Sequence, residues 1–204
     1  MGNVGIVTGG GRGMGFSCAE RVVGTVDTLL LVDIDEASAK EAASQLSSER
    51  TVVEPFVADV GDAAALGRLA DRAAELGTLR SVAHAAGISP TMDDWRKIVS
   101  VDLVGTALLA EALRPLATAG TAMVYFASMA PLIGRMDPEP ELGAVLDDPL
   151  DGELLDKLRE IVGESIEQPG IAYSWAKHGV QRFARAELSA SVLQGRGRTP
   201  CRRD

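Results

Sequence analysis

The chain has 204 residues, 46% of them hydrophobic, a mean hydropathy of +0.10 and a formal charge of −9. This size and texture suit one globular domain from residue 1 to 204 rather than a disordered chain, and the acidic balance argues against a nucleic-acid partner. The longest apolar runs, Thr28 to Val32 and Thr121 to Ala127, fall far short of the roughly 20 residues that span a bilayer, so no membrane partner is expected.

Val4 to Val7 reads as a short buried strand that runs into Thr8-Gly9-Gly10-Gly11-Arg12-Gly13-Met14-Gly15 and then a helical stretch through Val23. No basic n-region or cleavage site accompanies it, which points to the cytoplasm. Leu29 to Val32 predicts a second strand ending at Asp33, and Glu36 to Ser48 a helix. Val52 to Val57 gives a third strand, Asp62 to Leu76 a helix with Asp62 near its start, and Arg80 to His84 a fourth strand. Asp93 to Leu116 predicts one long amphipathic helix with Trp95, Ile98, Val101, Leu108 and Leu109 turned inward. Thr121 to Ala127 gives a fifth strand.

From Pro131 to Gln168 the texture turns to Pro, Gly and acid, with Leu154, Leu155, Leu158, Ile161, Val162 and Ile166 at helical spacing. This predicts an insertion, about 131–168, holding one amphipathic helix. It also holds the whole net charge, since five Asp and six Glu between Asp137 and Glu167 face only Lys157 and Arg159. Ile171 to about Val192 predicts the last helix, and the irregular tail, about 193–204, shows no strand pattern. Its Arg196, Arg198, Arg202 and Arg203 read as a solvated end. Cys18 reads as a small buried apolar residue, and with Cys201 far away no disulfide framework is expected. No metal site is expected. Alternating strands and helices with short links predict an α/β fold, a doubly wound parallel sheet in three α/β/α layers.

A glycine turn between a buried strand and a helix lets backbone N–H groups approach a pyrophosphate at the helix N-terminus. Gly9, Gly13 and Gly15 supply that turn, and Asp33 at the end of the second strand can accept hydrogen bonds from ribose hydroxyls while repelling a 2′-phosphate. NAD is therefore expected over NADP, although the Arg12 guanidinium points weakly the other way. Tyr173 and Lys177 lie four residues apart and so share a helix face. A phenol titrates near pH 10 and needs a positive neighbour to act as acid and base near neutrality, which the Lys177 ammonium can supply. Ser128, at the end of the fifth strand, can hold a substrate oxygen. His84, alone at a strand end, reads as structural.

Thr8 to Gly15, Asp59-Val60, Ala85-Ala86-Gly87, Ser128 and Tyr173-Ser-Trp-Ala-Lys177 resemble the classical short-chain dehydrogenases/reductases over nearly Gly2 to Leu188. The resemblance implies a Rossmann fold with Gly9, Gly11, Arg12, Gly13, Met14, Gly15 and Asp33 on the cofactor. It also implies Asp59 and Val60 near the adenine, and Ala85, Ala86 and Gly87 along the cleft. Ser128, Tyr173, Lys177 and Asp102 become catalytic, with Asp102 standing where the family usually has Asn, and Lys177 also holds the nicotinamide ribose. The chemistry implied is hydride transfer between NAD(H) and a secondary alcohol or ketone, a small-molecule partner. The insertion before Tyr173 resembles that of bacterial 3α-hydroxysteroid dehydrogenase/carbonyl reductases and of coniferyl-alcohol dehydrogenases, which suggests steroid-like or aromatic alcohols. Family members commonly pair through two long helices, so a homodimer or homotetramer is an option. The family's last strands have no counterpart after Val192, an ending that reads as a truncation or a shifted frame. The alternative reading is thus a dinucleotide-binding protein with impaired catalysis.

Overall fold

Side chains alternate across a strand, and here the alternation sends two different apolar sets to the two faces of one sheet. In the computed structural model, which describes residues 2–193, five strands pair in parallel: β1 (Gly2–Thr8), β2 (Thr28–Asp33), β3 (Val52–Val57), β4 (Gly77–His84) and β5 (Ala122–Tyr125). Their order is β3-β2-β1-β4-β5. Val4, Ile6, Leu30 and Val32 pack under α3 (Ala63–Leu76) and α5 (Gly105–Leu113) through Leu66, Leu69, Leu109 and Leu113. Val7, Leu29 and Leu31 pack under α1 (Gly13–Val22) and α2 (Glu36–Leu46) through Ala19, Ala39 and Ala43. This is the expected three-layer doubly wound architecture, and the strand order reverses between β1 and β4, where such sheets open a crevice. Asp35 and Asp62 cap α2 and α3 by accepting from the Ser38 and Ala64 amides at 3.0 and 2.9 Å.

The expected helix over 93–116 is one rod with an interruption. Asp94 caps α4 (Trp95–Val99), a π turn spans Ser100–Val104, and α5 follows and ends in a 3₁₀ turn over Arg114–Leu116. The π turn carries Asp102, 1% exposed, with its carbonyl taken by the Thr106 hydroxyl at 2.7 Å. Trp95, Ile98, Val101 and Leu109 are buried, whereas Leu108 is only partly so.

The insertion holds more than one helix. After the short α6 (Ala130–Ile133) come α7 (Pro140–Asp147), α8 (Leu154–Val162) and a 3₁₀ turn over Gly163–Glu167, then α9 (Pro169–Leu193). Leu142 and Leu146 of α7, Leu154 and Leu158 of α8, and Ile166 form a second core with Trp95, Ile98, Ala172, Ala176 and Val180. Asp147 locks α7 to α9 through a two-pronged pair with Arg182, at 2.7 and 2.6 Å. Every acidic residue from Asp137 to Glu167 except Asp151 is exposed. Cys18 is half-buried at the core's edge rather than inside it, because its turn of α1 faces partly outward. Cys201 and the tail arginines lie outside the described residues. Among the described residues no helix is long and apolar enough to cross a membrane.

Candidate active site

A cleft of about 510 Å³ opens at the carboxyl ends of β1, β2 and β4. Its floor is the glycine turn. Gly9 has φ +64°, and a Cβ there would sit 2.8 Å from the Ala86 amide nitrogen, while a Cβ on Gly15 would sit 1.9 Å from the Gly9 carbonyl oxygen. Only glycine fits either place, so bare backbone lines the cleft. Arg12 at the start of α1 makes no side-chain capping bond, which leaves the first N–H groups of that helix open to an anion.

Gly9, Arg12, Met14, Gly15 and Asp33 all line the cleft, as do Asp59, Val60, Ala85, Ala86 and Gly87. Gly11 and Gly13 shape the turn from outside that lining, and the Gly11 amide donates to Asp33 Oδ2 at 2.9 Å. Asp33 Oδ1 accepts from the Asp35 amide at 3.1 Å, so each carboxylate oxygen keeps lone-pair capacity for another donor. Asp59 accepts from the Gly61 amide at 2.8 Å and pairs with Lys97 at 3.2 Å. The Gly61 N–H, followed by Lys97, holds the Asp59 carboxyl below the usual carboxylate range. Lys97, Ile34 and Met92 also line the cleft, and sequence reasoning missed all three. Ile34 directly follows Asp33 and was readable as a strand-end neighbour, but Met92 and Lys97 reach the cleft only through the tertiary fold.

A second cluster forms where α9 crosses the ends of β4 and β5. Lys177 is 7% exposed, and its Nζ donates to the Phe126 carbonyl at 3.2 Å, lies 5.7 Å from the Tyr173 ring centre and stands 3.4 Å from Asp102 Oδ2. Asp102 Oδ1 accepts from the Ile88 amide at 2.9 Å. Burial raises the Asp102 carboxyl above its ordinary value, against the pull of the Lys177 charge and the Ile88 N–H. Ser128 Oγ accepts from the Ala130 amide at 3.1 Å, and its carbonyl accepts from Gln181 of α9 at 3.0 Å.

Tyr173, Lys177, Ser128 and Asp102 are thus gathered around α9 but stand outside the cleft lining. The wall between is thin, because a Cβ on Gly87 would lie 2.9 Å from Asp102 Oδ1 and 3.4 Å from Lys177 Nζ. His84 is buried, with Nδ1 2.7 Å from the Thr8 hydroxyl. Burial, with Lys177 adding to it, pushes the imidazole down to about 3, so the ring is neutral and ties β4 to β1.

A family model described as short chain dehydrogenase matches residues 3–136. Among curated relatives, D-threitol dehydrogenase of Mycolicibacterium smegmatis is 32% identical over 139 residues, which cover 63% of this chain and 54% of that protein. The 2-(S)-hydroxypropyl-CoM dehydrogenase 3 of Xanthobacter autotrophicus is 31% identical over 142 residues, with the same two coverages. The chain therefore spans about half the length of these relatives. Two solved structures share the fold. The RhlG/NADP active-site complex of Pseudomonas aeruginosa has a TM-score of 0.67 at 21% identity, over 94% of this chain and 67% of that one. Menthone neomenthol reductase of Mentha piperita has a TM-score of 0.73 at 17% identity, over 92% and 85%. Because the family model covers well over half of its length, the chain belongs to the short-chain dehydrogenase family.

Proposed function

We propose that the protein is an oxidoreductase that interconverts a secondary alcohol and a ketone with a nicotinamide dinucleotide, NAD in preference to NADP. The carrying observation is the thin Gly87 wall, which sets the Lys177–Asp102 pair and the neighbouring Tyr173 directly beside a glycine-floored cleft. The residues fit such a group. The turn at Gly9 and Gly15 has no room for a Cβ, the α1 N-terminus lacks a side-chain cap, and Asp33 keeps acceptor capacity at the cleft's edge. Gly9, Arg12, Met14 and Gly15 would hold the pyrophosphate, Asp33 the adenosine ribose, and Asp59 and Val60 the adenine side.

The bound dinucleotide supplies the hydride acceptor for oxidation and the donor for reduction. In oxidation, Tyr173 takes the alcohol proton as the carbinol hydrogen leaves as hydride, and Ser128 donates a hydrogen bond to the substrate oxygen. The Lys177 ammonium, 5.7 Å from the Tyr173 ring centre, would assist proton transfer at that phenol and would hold ribose hydroxyls of the dinucleotide. The acidic Asp33 supports NAD, because a 2′-phosphate there would meet a carboxylate. Met129, Leu132 and Ile133, 68%, 70% and 75% exposed beside Ser128, support an apolar alcohol, steroid-like or aromatic. The insertion before Tyr173 supports the same subclass.

A second reading, dinucleotide binding without turnover, draws on the placement of Tyr173 and Lys177 outside the cleft lining. A panel of steroid and aromatic alcohols with NAD, followed at about 340 nm where NADH absorbs, beside a binding titration with NADH, separates the two. Turnover carries the first reading. Saturable binding with no turnover for any alcohol carries the second.

A further inference from the structure

Asp102 and Lys177 form a buried ion pair, in which Lys177 also donates to the Phe126 carbonyl at 3.2 Å but meets no other carboxylate among the described residues. The Asp102 side chain is 0% exposed and that of Lys177 9%. Asp102 Oδ1 is occupied by the Ile88 amide, while Oδ2 accepts no hydrogen bond among the described residues and faces only the ammonium, 3.4 Å away. A lone carboxylate or a lone ammonium at such a place would carry a large desolvation cost. The other titratable groups turned toward the ammonium are His84 on β4, kept neutral by burial, and Tyr173 on α9. Tyr125 on β5 meets the edge of His84, with ring centres 6.5 Å apart. Asp102 is therefore the counter-charge of Lys177.

Its second bond has a consequence for the cleft. Ile88 and Gly87 line that cleft, and the space against Gly87 is filled by the Asp102 carboxylate and the Lys177 ammonium. One carboxylate thus holds the backbone of the wall with one oxygen and the ammonium with the other. An amide in its place could still accept the Ile88 N–H, but it would bring no charge to Lys177.

Resting on the oxidoreductase reading, we infer that Asp102 is a positioning residue: its carboxylate clamps Lys177 to the cleft wall and, by cancelling part of the ammonium charge, sets the pH range of turnover. An ammonium alone favours a nearby phenolate, and a carboxylate behind it weakens that help. The native pair therefore places the acid limb of alcohol oxidation at higher pH than an uncompensated Lys177 would.

The test compares the native chain with Asp102→Asn, which keeps shape and removes charge. The first readout needs no substrate. Lys177 is one of only four lysines, with Lys40, Lys97 and Lys157, so competitive acylation by trace acetic anhydride, read peptide by peptide in a mass spectrometer, reports its reactive free amine. Acylation of Lys177 is expected to rise about tenfold or more in Asp102→Asn relative to the other three. An unchanged ratio overturns the clamp.

If Asp102→Asn does not fold, Gly87→Ala serves instead, since its Cβ would press on Asp102 Oδ1 at 2.9 Å. The same direction of change is expected, and no change counts against the clamp. The second readout is the acid limb of kcat/KM for an alcohol that the native protein oxidises. It is expected to move to lower pH by about half a unit or more in Asp102→Asn, and a limb that stays in place overturns the charge argument. Absence of turnover in the native protein would sink the oxidoreductase reading instead, while the acylation ratio still decides the pairing.

Discussion

Asp33 spends lone pairs on two backbone amides, those of Gly11 and Asp35, and these fix its carboxylate at the rim of the cleft. Both bonds are local, so the side chain is oriented before any ligand arrives. Asp33→Ala is expected to weaken NAD about tenfold, or about 1.4 kcal/mol, while NADP weakens less or tightens. Titration of the variant with both dinucleotides checks it, and an unchanged NAD/NADP ratio contradicts the role. Tyr173→Phe removes one oxygen and leaves the α9 packing in place. Turnover is expected to fall by a factor of about 100 to 10,000 with NADH affinity nearly unchanged, and parallel loss of both would refute the proton-transfer role.

His84 gives a pH prediction of its own. Its folded value lies at about 3 against an ordinary 6.5 because burial disfavours the charged ring. Below pH 6.5 the unfolded chain takes up a proton that the folded chain refuses. The stability contributed by the neutral ring is thus full above pH 6.5 and is lost as the pH falls toward 3, by at most about 1.4 kcal/mol per pH unit. Urea midpoints at pH 7 and pH 5 should differ more in the native chain than in His84→Asn. Equal differences would show that the ring is not the sensor.

Among elements, α8 tests whether the insertion is part of the machine or an appendage. Leu158 is fully buried between α7, α8 and α9, so Leu158→Ala should cost about 2–5 kcal/mol through lost burial and an unfilled cavity. Because α9 carries Tyr173 and Lys177, turnover should suffer more than NADH binding, which depends on the distant glycine turn. A thermal melt with parallel binding and rate measurements checks both halves.

What was legible in the sequence follows the same division. The runs Val4 to Val7 and Leu29 to Val32 were readable because strands buried on both faces are nearly continuous apolar segments, and the turn between strand and helix announced itself in glycine. In contrast, α7 begins at Pro140 and has only eight residues, three of them Leu or Val, too few to establish a period against an acidic background. The π turn at Ser100–Val104 has no local signal; it exists where the Asp102 side chain enters the interior to meet groups from β4 and α9. The pairing of Lys97 with Asp59 was hidden for the same reason, since it joins side chains from separate elements. At the site, candidate residues could be named from the sequence, but the separation of Tyr173 and Lys177 from the cleft lining by Gly87 could not.

At the scale of the molecule, two cores divide the work. The sheet with α1, α2, α3 and α5 builds the cleft, and the cluster of α4, α7, α8 and α9 seats the helix that carries Tyr173 and Lys177. They meet at the end of β4, where residues 84 to 88 pass from the buried His84, the last residue of the strand, to Gly87 and Ile88 in the wall. Net charge follows the same split, for the acid sits on the outward side of the insertion and the rest of the chain balances to zero.

The central claim is that the glycine-floored cleft takes a nicotinamide dinucleotide, and a direct titration with NADH tests it. Trp95 and Trp175 provide intrinsic fluorescence whose energy transfer to a bound nicotinamide can be followed as NADH is added. Saturable binding is expected in the native chain, together with its loss in Gly15→Val, where the added side chain would collide with the Gly9 carbonyl. No saturable binding in the native chain, or equal binding in a folded Gly15→Val variant, would contradict the account.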